Sequence, residues 1–87
     1  MEVATMKIQS TDTHIQFACY QAGTNRQSIL GIFDCPIRED VIISEWSESE
    51  IDEAIRETKE CIAESLMNHY DCSRKEIEIT AVPFQVV

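Results

Sequence analysis

The sequence predicts an α+β domain: an antiparallel sheet of three to four strands with one long amphipathic helix packed across one face, in the order β-β-β-α-β. Three patterns lead there. Ile15, Phe17 and Cys19 alternate with His14, Gln16 and Ala18, the period of a half-buried strand. From Ile51 to Tyr70, apolar or small residues recur at steps of three and four, the period of one helix face. Alternation then returns in Ile77, Ile79 and Ala81 against Glu76, Glu78 and Thr80.

Taken in order, residues 1–5 read as a loose extension and Met6-Lys7-Ile8 as a short strand. The strand from His14 to Tyr20 runs into Gln21–Gln27, where Gly23 and Asn25 tolerate positive φ and so suit a hairpin loop. Ser28 to Phe33 is the return strand. Its near-continuous apolar run suggests a central position, and Gly31 marks a bulge or a close packing contact. Asp34-Cys35-Pro36 is expected to break the ladder, because proline lacks the N–H donor. Val41-Ile42-Ile43 restarts a β-rich run toward Trp46.

Ser47 followed by Glu50 matches a capping box, and Glu48, Glu50, Asp52 and Glu53 crowd the positive end of the helix dipole. The core face of the helix is read as Ile51, Ala54, Ile55, Thr58, Ile62, Leu66 and His69 or Tyr70. The last strand covers Glu76 to Val82 and ends at Pro83, leaving 83–87 as an apolar tail. That tail either packs under the sheet or adds to a partner's strand edge. One helix covers one sheet face. The other face, with Ala18, Tyr20 and Ile42 placed there, is open to a homodimer.

Size and charge restrict function. The 87 residues make one domain with a thin core, which argues against an elaborate catalytic cavity. Sixteen acids against seven bases give a net charge of −9. Nucleic-acid phosphates and anionic membranes need cations, so neither is the expected partner, whereas a basic protein surface is. No apolar run is long enough to span a bilayer. Cys19, Cys35, Cys61 and Cys72 show no C-x-x-C spacing and no secretion signal precedes them, so reduced thiols in a cytoplasmic protein are expected over a two-disulfide secreted one.

Charge placement supplies the candidate site. Ten of the sixteen acids fall between Glu39 and Glu64, answered there only by Arg56 and Lys59. Glu53, Glu57, Glu60 and Glu64 step by four, three and four, so they form one row opposite the core face. Asp52 and Arg56 offer one compensating pair, and the row itself holds no cation. Like charges at this spacing repel, and the alternative reading is a solvated face that keeps a small protein soluble. Glu45, Trp46 and Glu50 extend the row at the helix start. Trp46 either packs as a hydrophobic staple or stands out as an interface anchor. The candidate partner-binding set is therefore Glu45, Trp46, Glu50, Glu53, Glu57, Glu60 and Glu64.

Catalytic and metal chemistry find less support. The acids are clustered and exposed rather than set singly in apolar pockets, as raised-pKa carboxylates are. His69 and Cys72 are one close pair, where structural zinc uses two. Cys72, beside Arg74 and Lys75, is the best-placed thiol for nucleophilic work, while Cys19 and Cys61 lie on or beside apolar faces. There is no glycine-rich phosphate loop. No catalytic residue, cofactor or metal is assigned.

The stretch Ser49 to Ile62 resembles the helix of HicB-like antitoxins, with strands before and after. That resemblance implies a toxin-neutralising or adaptor role. The overall profile also resembles phage-encoded anti-defence proteins such as anti-CRISPR inhibitors and DNA mimics. The leading expectation is an inhibitor that blocks a nucleic-acid-binding protein, with the antitoxin or adaptor as alternative and a small thiol or metal protein third.

Overall fold

The computed structural model describes residues 8–86. Three antiparallel strands, β1 (His14–Gln21), β2 (Ile29–Pro36) and β3 (Ile77–Phe84), form a sheet in the order β2-β1-β3. One helix, α1 (Glu48–Tyr70), packs on one face. The predicted α+β class and the three-strand form of the sheet are what is found.

Residues paired across an antiparallel ladder share a face. Phe17 pairs with Phe33 and Ala81, and Cys19 with Gly31 and Ile79, so these six face the helix. Phe17 is only 1% exposed and clusters with Cys19, Ile55, Ala63, Leu66, Ile77 and Ile79. Ala63 was absent from the periodic reading. It is fully buried because the helix leans toward β3, where a small residue lets the two elements approach.

Four expectations are corrected. The near-continuous apolar strand is not central: β1 has both neighbours, and β2 is an edge. β2 also runs on to Pro36, and β3 runs through Pro83 to Phe84, so neither proline breaks the ladder. Ala22 N–H donates to Glu76 O, which makes even-numbered residues of β3 the ones bonded to β1. Pro83 therefore turns its nitrogen outward on an edge strand, where no ladder bond is lost. The β-rich run from Val41 to Trp46 forms a 3-10 turn at Ile43–Glu45 instead of a strand. Ten residues separate Pro36 from the helix cap at Ser47. They carry the chain from the sheet layer to the helix layer. Of the short strand expected at 6–8, residues 6 and 7 lie outside the described residues, and Ile8 is not in a strand.

The hairpin loop is built as expected. Gly23, Asn25 and Arg26 have φ of 84°, 53° and 63°, and Gln27 N–H closes the turn on Thr24 O. The register shifts between Cys19 and Tyr20, which leaves Leu30 as the bulged residue next to Gly31.

The capping box is present. Ser47 Oγ accepts from Glu50 N–H at 3.2 Å, and Glu50 Oε1 accepts from Ser47 N–H at 3.2 Å. At the other end Asp71 closes the helix in the left-handed region, and Tyr70 Oη donates to Leu30 O at 2.9 Å. Ser47→Ala should lower stability by about 1 kcal/mol, read as a shift of the urea midpoint at unchanged slope. No loss would mean that the cap is unformed in solution. No helix among the described residues is long and apolar enough to cross a membrane.

Candidate functional site

The sequence-derived site divides into three parts once folded. Glu53, Glu57, Glu60 and Glu64 are all exposed on the outer side of α1, as their spacing requires. Four helical residues rise about 6 Å, so the row is regular.

Two of the four carboxylates carry a cation. Arg74, from the turn before β3, brings its guanidinium to Glu60, with Nη2 at 3.1 Å from Oε1 and Nε at 3.2 Å from Oε2. The same side chain donates through Nη1 to Ile77 O, which fixes it in place. These hydrogen bonds hold the Glu60 carboxyl below the usual carboxylate range. Arg56 pairs with Glu53 at 3.6 Å rather than with Asp52, because the i,i+3 geometry reaches Glu53. The expectation of a row without cations is therefore corrected at Glu60 and Glu53. Arg74 lies ten residues past Glu64, and only the fold brings it back to the helix. Among the described residues, no cation comes within 4.0 Å of Glu57 or Glu64.

Glu50 is engaged in the capping box and is held to the helix start. Trp46 is 37% exposed, between the two expected roles. It lines an apolar cleft of about 220 Å³ together with Ile51, the position a hydrophobic staple uses. Glu45 is exposed in the adjoining 3-10 turn.

All four arginines of the chain are committed to carboxylates: Arg26 to Glu78, Arg38 to Asp40, Arg56 to Glu53 and Arg74 to Glu60. No guanidinium cluster is left to receive phosphates. Comparison with protein-family models, with curated proteins and with solved structures gives no match to this chain.

The thiols are scattered. Cys19 is buried, Cys35 and Cys72 are half-buried, and Cys61 is exposed on the helix rather than on its apolar face. His69 stacks edge-on against Tyr70. Among the described residues no three or more His, Cys, Asp or Glu side chains gather as a metal site would need. Burial pushes the Cys19 thiol up, outweighing the opposing charge of Arg74. In the native protein a thiol reagent should therefore label Cys61 first and leave Cys19 unmodified until the chain unfolds. Peptide mapping after brief alkylation checks this; early labelling at Cys19 would contradict the packing of β1 against the helix.

The open sheet face carries His14, Gln16, Ala18 and Tyr20 of β1, Ile32 and Asp34 of β2, and Thr80, Val82 and Phe84 of β3. Ala18 and Tyr20 lie there as expected. Ile42 sits in the connection before the 3-10 turn, not on a strand, and lines a cleft with His14 and Pro36 at the end of that face. Ala18 is nonetheless buried beneath its neighbours. Phe84, expected in the tail, is the last residue of β3 and stacks on His14 with centroids 5.2 Å apart. Val86 N–H donates to Thr13 Oγ1 at 2.9 Å, and Val87 lies outside the described residues.

Proposed function

We propose that this chain is a non-enzymatic binding module whose acidic helix face engages a basic surface on another protein, one that otherwise holds nucleic acid. The supporting observation is the exposed row Glu53, Glu57, Glu60 and Glu64, in which Glu57 and Glu64 have no described cation. A row of self-repelling carboxylates costs helix stability, and a cationic partner relieves that cost. Glu45 and Trp46 extend the surface at the helix start, where a partly exposed tryptophan adds apolar contact. Glu50 contributes mainly by capping. In its most specific form the module is an inhibitor, of the anti-defence type carried by phages and mobile elements, that occupies a nucleic-acid site by charge.

The test immobilises the full chain and a Glu53→Gln, Glu57→Gln, Glu64→Gln variant, and offers host lysate to both. The reading expects a nucleic-acid-binding protein retained by the wild type, released by salt or by competing DNA or RNA, and missing from the variant. Equal retention by a folded variant would assign the acidic row to solubility alone.

A further inference from the structure

Strand β2 is exposed in a way its composition does not suit. Near-continuous apolar runs belong to strands covered on both faces. Yet Ile29 and Ile32 are 59% and 54% exposed, and Phe33, on the helix-facing side, is 39% exposed. The helix leans toward β3 and does not seal this side. A cleft of about 420 Å³ opens between the second half of α1 and β2, lined by Leu30, Phe33, Ser65 and His69.

Among the described residues, no strand covers the outer edge of β2. Ile37 N–H donates to Thr13 O, so from Gly31 onward, past the bulge, the odd-numbered residues of β2 are the ones bonded to β1. Ile32 and Asp34 therefore aim their amides and carbonyls away from the sheet. Natural edges are usually blunted by lysine, proline or a short strand. β3 has Pro83 facing outward in its body, whereas β2 carries its proline only as the last residue, Pro36, and between the bulge at Leu30 and Pro36 only the charge of Asp34 stands on its outer edge.

Charge singles out the occupant. The helix residues that line the clefts on this side, among them Ala54, Thr58, Ser65 and His69, include no carboxylate, lysine or arginine, and Asp34 is the one acid on the strand. A basic partner finds no carboxylate row along this edge. A second copy finds little repulsion there although each chain carries −9, because both acidic rows point outward from the sheet rather than across the strand edge.

We propose that two copies of this chain pair antiparallel through β2, joining their sheets into one of six strands. The two-fold axis lies at Ile32, whose outward N–H and C=O bond to those of its counterpart. Both helices then sit on the same face of the joined sheet, and the two Phe33 rings cover the trough between them. The pairing is independent of the acidic-face reading, since it uses the edge of β2 and not the outer face of the helix.

The experiment measures the mass of the full chain by sedimentation equilibrium over a wide concentration range, with hydrogen exchange on the same samples. A dimer with micromolar dissociation is expected, with exchange at Ile32 and Asp34 slowing as concentration rises. Ile32→Lys places two cations on the axis and should weaken the dimer at least about tenfold. Ile32→Pro removes only the outward donor and should do the same while β1 pairing is kept. If Ile32→Pro fails to fold, Ile32→Lys decides. Added salt should leave the dimer intact or tighten it, the opposite of its effect on an acidic-face partner. A monomer at every concentration overturns the proposal. So does a dimer that survives both substitutions at Ile32 and is dissolved instead by Val82→Lys, which would place the contact on the open sheet face.

Discussion

Phe17→Ala is expected to cost about 3–5 kcal/mol, a large share of the domain's stability. The ring sits on the central strand, 1% exposed, between Phe33 on one side and Ala81 on the other and in one cluster with Ile55 of the helix. The neighbours on β1 are held by ladders to two strands, so they cannot collapse into the space left behind. A chain of this length has a total stability of about 4–13 kcal/mol. The loss should lower the melting temperature by at least about 12 °C. Phe33→Ala is the control: its ring is partly in water already, so it should cost clearly less under dilute, monomeric conditions. Thermal unfolding of both variants checks the ranking. Equal losses would mean that the helix covers β2 as fully as it covers β1.

The triple variant Glu53→Gln, Glu57→Gln, Glu64→Gln is expected to move stability and binding in opposite directions. Removing the Glu53–Glu57 repulsion at i,i+4 favours the helix by about 0.2–0.5 kcal/mol. The Glu53–Arg56 contact that is lost is exposed on both sides and long, so it offsets little of that gain. Binding to a cationic partner should fall about 10- to 100-fold at low salt, mostly through slower association. The gap between variant and wild type should close as salt rises, because exposed charges are screened beyond about 10 Å at 0.1 M. Affinity measured at two salt concentrations, with a urea titration of each protein, reads both effects. A variant that is more stable and binds equally well would identify the row as a solubility device. Glu60 is left in place because Arg74 holds it, and removing it would confuse the loss of a fold contact with the loss of a binding contact.

Much of the local structure was legible because its signals are local. The i,i+3 and i,i+4 spacing from Ile51 onward can be satisfied only by a helix with one covered face, and Ser47 with Glu50 marks its start through hydrogen bonds that span three residues. Gly23 and Asn25 located the hairpin because few other residues accept their backbone angles. The alternation in β1 and β3 placed Phe17, Cys19, Ile77 and Ile79 on one face before any strand order was known. The row of glutamates on the outer helix face follows from the same periodicity.

What required the tertiary structure was every property that depends on which elements are neighbours. An apolar strand reads the same whether it is central or at an edge, so Ile29, Ile32 and Phe33 were expected inside and are partly in water. Proline breaks a ladder only where its nitrogen faces a partner, and only the strand order shows that Pro83 faces outward. The charge balance of the acidic row likewise rests on Arg74, fourteen residues from Glu60 and brought back by the turn into β3. Periodicity along one chain determines which residues share a face, because backbone geometry repeats locally. Strand order, edge exposure and long-range ion pairs are decided by packing between distant segments, which no local pattern encodes.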